Sequence, residues 1–258
     1  MNEEILKALK RVEAKENCKI LFAAESGSRA WGFASPDSDY DIRVVYVKPE
    51  SWYFDITEKK SDTFEAMLPG DLDISAWELR KSLQHVAKCN PSFYEWINSP
   101  IIYFADETFL NEIKNRLPVF FNPIRAAYHY LYLSENSWRT VNEQKQITYK
   151  KLFYALRGLF CALWSIQKKT MPPTEFELLL RDDLIPKEIL TLIPELKAQK
   201  ELVNEKAKLT LPNHLYQFYL TQKIYIKQQI EAMHFEYPAV DPLNNLLQRT
   251  VKMHSVAD

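Results

Sequence analysis

Asp39 and Asp41 stand two residues apart at the head of an apolar run, DYDIRVVYV. In an extended strand residues i and i+2 share a face, with Cα atoms about 6.6 Å apart. Two carboxylates projected to one spot repel each other unless a positive charge lies between them. Oxygen-only ligands favour Mg2+ or Mn2+, which retain waters and take substrate phosphate oxygens in their remaining positions. Ile42, Val44 and Val45 supply the buried part of the strand, while Tyr40, of opposite parity to the aspartates, points away into packing. Asp37, directly after Pro36, reads as a turn residue, although it shares the i, i+2 parity and is open to a second reading as an outer ligand.

Gly27 and Ser28 precede Asp39 by ten intervening residues and end a second apolar run, KILFAAES. Gly27 permits a tight turn and close backbone approach, and the Ser28 hydroxyl with the N–H groups of a short helix over 29–31 suits a phosphate. Arg29 is either a helix-end cation or a contact to a triphosphate. Adjacent strands would bring this turn beside the carboxylate pair, which is minimal equipment for displacement at a nucleotide α-phosphate.

The elements that must position these groups follow from pattern. Residues 17–77 alternate in short β-rich runs: CKILFAAES, DYDIRVVYV, DTFEAML and DLDISAW. From Glu78 onward apolar residues recur at spacings of three and four, with Asn90-Pro91 ending one helix and starting the next. The fold class expected is α+β: a small mixed-sheet domain flanked by helices over 1–104, then an all-helical domain over 105–258. No Gly/Ser linker separates the halves, so they are expected to pack and form a cleft.

Composition narrows the function classes. Lys and Arg total 33 against 34 Asp and Glu, which excludes a chain coated for nucleic acid or anionic lipid. The N-terminal residues form an amphipathic helix without an apolar signal core, and the apolar stretch 152–166 is interrupted by Arg157. A cytoplasmic protein with no membrane partner is expected. Cys18, Cys89 and Cys161 are far apart and odd in number, which suits reduced thiols, and the scattered histidines form no zinc pattern.

The string GSRAWG…DSDYDIR resembles the active-site signature of the DNA polymerase β-type nucleotidyltransferase superfamily: Gly-Ser, about ten residues, Asp-x-Asp, then an acidic residue on a later strand. Together with DLDISAWELRKSL, NPSFYEWINSPIIY and YKKLFYALRGLFCALW, it is similar to the RlaP-type (YcgL-like) branch over roughly residues 21–173. The resemblance implies a polymerase β-like catalytic domain and a third carboxylate. Asp71 and Asp73 both qualify by spacing. Asp73, flanked by Leu72 and Ile74, is preferred as a strand residue, since Asp71 follows Gly70 and reads as turn.

The resemblance further implies two Mg2+ or Mn2+ ions held by Asp39, Asp41 and Asp73, with Asp73 also taking the acceptor's proton. Gly27, Ser28 and Arg29 would bind the nucleotide. Lys151 and Arg157 either form a solvated helix end, with Arg157 partly buried and paired, or line the cleft and neutralise the nucleotide's phosphates, as the resemblance favours. The donor is an NTP, with ATP foremost, and the acceptor an RNA or tRNA, a protein or a small molecule. The competing class is a nucleotide-binding regulatory or interaction module that performs no transfer. A DNA polymerase or repair enzyme fits the balanced charge poorly.

Overall fold

The structure, a computed structural model, describes residues 2–34, 38–56, 61–68, 72–181, 183–203 and 207–254. The chain divides into two compact units, Met1–Phe120 with Tyr237–Asp258, and Phe121–Glu236. Sequence texture put the division after residue 104 and gave everything beyond it to the helical part. Two helices beyond that point belong with the sheet instead, because their apolar faces are buried against it.

The first unit runs α1 (Asn2–Glu16), β1 (Lys19–Glu25), α2 (Gly27–Trp31), β2 (Tyr40–Val47), α3 (Glu50–Phe54), β3 (Thr63–Leu68), β4 (Leu72–Glu78), α4 (Leu79–Ala87), α5 (Pro91–Ile97), β5 (Ile102–Ala105) and α6 (Glu107–Phe120). Its five strands lie in the order β3-β4-β2-β1-β5. Only the β2–β4 pair is parallel; every other neighbour is antiparallel. Strand parity separates two layers. Ile42, Val44 and Tyr46 of β2 and Leu72, Ile74 and Ala76 of β4 turn to one face and form a core with Ile5, Ala8 and Leu9 of α1. Asp41, Arg43, Asp73 and Ser75 have the other parity.

Helix starts in this unit are fixed by local chemistry. Asn90 accepts from the Ser92 N–H with Pro91 in the first turn, as the Asn-Pro pair predicts. Glu78, last residue of β4, caps α4 by accepting from the N–H groups of Arg80 and Lys81. Asp106 Oδ1 accepts from Phe109 N–H at 2.9 Å and starts α6. Strand β5 was not foreseen: its four residues carry no apolar alternation strong enough to mark a strand.

The second unit comprises α7 (Pro123–Trp138), β6 (Gln146–Thr148), α8 (Tyr149–Lys168), α9 (Phe176–Leu179), α10 (Lys187–Glu201), β7 (Lys208–Thr210) and α11 (Asn213–Ala232). It is helical, as expected, apart from the short antiparallel β6–β7 pair. Helices α7 and α8 pack closely at Gly158, where an added Cβ would stand 2.8 Å from the Tyr130 carbonyl oxygen. Trp138 stacks on Tyr219 with ring centroids 3.6 Å apart. The chain then returns to the first unit as α12 (Asp241–His254), which packs on α4, α6 and β2. No helix among the described residues is long and apolar enough to cross a membrane.

Candidate active site

Antiparallel pairing of Glu25 with Ile42 brings the end of β1 beside the start of β2. Both backbone polar groups of Asp41 are held there: its N–H donates to Glu25 Oε1 at 2.7 Å, and its carbonyl accepts from Ser26 N–H at 2.8 Å. The parallel register sets Asp41 directly beside Asp73, on strands about 4.8 Å apart. Asp39 lies exposed just before β2. Asp37 and Asp71 lie outside the described residues, so the choice between Asp71 and Asp73 rests on Asp73's position beside Asp41.

Gly27 is required by its surroundings. Its φ is +61°, and a Cβ there would fall 2.2 Å from Asp41 Oδ2. Oδ2 therefore lies against the Gly27–Ser28 turn, so the adjacent strands do bring this turn beside the carboxylate. Ser28 is half-buried in the first turn of α2, and Trp31 Nε1–H donates to Glu95 Oε2 at 3.0 Å, tying α2 to α5. Arg29 donates through Nε to the Asp39 carbonyl at 3.1 Å and through Nη2 to the Ser38 carbonyl at 2.6 Å. Its guanidinium lies over the Tyr40 ring, 3.9 Å from the centroid. Arg29 thus shapes the backbone leading into Asp39, and Tyr40 packs against the α1-side core, as its parity required.

The residue that sequence reading passed over is Arg43. Its Nη2 donates to Asp41 Oδ1 at 2.8 Å, and Nη1 and Nη2 each lie 3.0 Å from Asp73 Oδ2. One guanidinium therefore bridges the two carboxylates, with its side chain 17% exposed against 30% and 32% for the aspartates. The signal was present as a continuing parity, Asp39, Asp41, Arg43, on one strand face. Burial raises the Asp41 carboxyl above its ordinary value; Arg43 opposes this, while the charges of Asp73 and Asp39 add to it.

Glu25 was also missed. It is fully buried, and its carboxyl is pushed up by burial, opposed by the Tyr103 hydroxyl and the Asp41 N–H that donate to it. Ser99 Oγ–H donates to the Glu25 carbonyl at 2.7 Å, so β1, β2 and the start of β5 meet at this residue. An acidic residue closing an apolar strand was the available sign.

Lys151 and Arg157, expected together on a phosphate-facing surface, are not presented together. Six residues at about 100° each leave them roughly 120° apart around α8. Lys151 is exposed in the first turn, whereas Arg157 is 3% exposed and donates through Nη2 to the Thr174 carbonyl at 3.0 Å. Arg157 is thereby built into the packing of the helical unit.

The donor set suits a hard divalent cation in kind, since Asp41 Oδ2 lies against the Gly27–Ser28 turn and the exposed Asp39, whose backbone carbonyl is held by Arg29, stands two residues before it. Among the described residues no three metal-ligating side chains converge on one point. Between Asp41 and Asp73 the positive charge is already supplied by Arg43. The residues thus fit one cation on the Asp39 side and do not, as arranged, fit a second beside Asp73.

A mixed sheet whose acidic strand ends lie against a Gly-Ser turn is the arrangement expected of a polymerase β-type nucleotidyltransferase. Residues 1–249 match the family model RlaP, described as an RNA repair pathway DNA polymerase beta family, and the chain belongs to that family. It is 38% identical over 208 residues to protein YcgL of Bacillus subtilis (strain 168), covering 81% of this chain and 77% of that protein. A nucleotidyltransferase-like protein from Exiguobacterium sibiricum 255-15 aligns over 96% of this chain and 79% of its own, with 13% identity and a TM-score of 0.29.

Proposed function

We propose that this protein transfers a nucleoside monophosphate from an NTP, with ATP the first donor to test, to a hydroxyl acceptor. The observation that carries the reading is the register of Asp41 beside Asp73, with Asp41 Oδ2 against the Gly27–Ser28 turn. In the reaction the acceptor oxygen forms a bond to the α-phosphorus and the bond from that phosphorus to the bridging oxygen of pyrophosphate breaks. Asp73 takes the acceptor's proton, and pyrophosphate carries away the bonding pair. Ser28 and the Gly27 turn hold the leaving phosphates. A divalent cation on Asp39 and Asp41, when bound, screens the phosphate charge and polarises the reacting phosphorus. The family's description as part of RNA repair favours an RNA end as acceptor.

Purified protein incubated with each α-labelled NTP and total RNA, with proteome and small alcohols as further acceptors, tests this. Label should move to an acceptor in a manner lost by at least a hundredfold in Asp41→Asn. Equal labelling by wild type and variant would sink the proposal. The bridging of Asp41 and Asp73 by Arg43 favours one second reading, a nucleotide-binding regulatory module. Tight NTP binding with no turnover on any acceptor would select it.

A further inference from the structure

We infer that the Arg43 guanidinium stands in permanently for the nucleophile-side cation, so that this site takes up a single divalent ion, held on the Asp39–Asp41 side. The inference deepens the proposed transfer reading and rests on it for the meaning of the two sides. Three features carry it. First, the contacts are those of a fork filling a gap: Nη2 reaches Asp41 Oδ1, and both terminal nitrogens reach Asp73 Oδ2. An ion bridging the same two oxygens would need the space these N–H groups occupy.

Second, Arg43 is rooted beside its partners. It sits on β2 two residues after Asp41, and its neighbours across the sheet are the small residues Ala24 and Ser75. Arginine keeps its charge at any physiological pH, so the carboxylate pair is neutralised in part whether or not metal is present. Third, the two Asp41 oxygens are divided. Oδ1 faces Arg43, and Oδ2 faces the Gly27–Ser28 turn, which opens the helix whose Arg29 binds the Asp39 carbonyl. One ion with two aspartate ligands, completed by phosphate oxygens and water, matches the coordination that Mg2+ and Mn2+ accept.

The test counts ions by electron paramagnetic resonance during Mn2+ titration of the full chain with a non-hydrolysable NTP analogue. Wild type should bind one Mn2+ per chain with an isolated-ion spectrum. Arg43→Ala should bind two, with the broadened spectrum of a spin-coupled pair; Arg43→Lys, keeping the charge, should remain at one. Two ions or none in wild type, or a single ion in a folded Arg43→Ala, overturns the inference. If Arg43→Ala does not fold, the wild-type and Arg43→Lys counts decide alone, and two ions in either overturns it. No turnover is needed, so a wild type that binds one ion yet labels no acceptor would retire the transfer reading and leave this one standing.

Discussion

At the scale of single residues, the site is held by constraints that admit few substitutions. Gly27 combines a positive φ with a carboxylate oxygen where a side chain would start. Gly27→Ala should therefore cost about 1–3 kcal/mol in denaturant unfolding and lower transfer on the order of a hundredfold by shifting Asp41. Unchanged stability and rate would mean that the turn relaxes freely. The aspartates and the Gly-Ser turn were legible in the chain because strand parity and turn chemistry are local. Arg43 and Glu25 were not, since their partners are chosen by strand register. Asp73 meets Arg43 only once β4 has aligned with β2, and Glu25 meets Tyr103 across β1 and β5.

At the scale of elements, two junctions make different demands. Glu78 ends β4 and caps α4 while buried at 1% exposure; burial raises its carboxyl above the ordinary 4.5, opposed by the Tyr53 hydroxyl and the Arg80 and Lys81 N–H groups. The folded state thus holds this proton more tightly than the unfolded chain. Its contribution is complete below the unfolded value and is lost as pH rises through the raised one. Melting curves of Glu78→Gln against wild type should therefore shift in the variant's favour as pH climbs from about 4 toward neutrality. A constant offset would refute the sign. In the helical unit, a Cβ at Gly158 would stand 2.9 Å from Ser134 N and Cβ, so Gly158→Ala should force α7 and α8 apart and cost about 1–3 kcal/mol. The strong strands and the Asn-Pro helix start were readable from periodicity and cap chemistry. The short strand β5 was not, because it is defined by pairing to β1 more than by its own residues.

At the scale of the whole molecule, the sheet unit is completed by a helix that returns after the helical unit. Leu243, Leu246 and Val251 of α12 are buried at 3%, 3% and 6% exposure, with Arg249 paired to Glu112 at 3.0 Å and His254 beside Asp106 at 3.3 Å. Leu246→Ala should cost about 2–5 kcal/mol, and hydrogen exchange should report the loss in β2, α4 and α6. Loss of protection confined to α7 and α8 would contradict the division described. Amphipathic spacing reveals that such a helix exists, but which surface it covers depends on contacts far apart in the chain, which explains why the boundary was misplaced.

That return also orders events during synthesis. A chain emerging from a ribosome presents the sheet strands first and then the whole of residues 121–236, and only afterwards the helix that covers β2 and α4. The helical unit is contiguous and can consolidate at once; the sheet unit must wait through its neighbour's translation with apolar surface uncovered. Slow codons or cold within residues 121–236 would lengthen that interval and the exposure to aggregation with it.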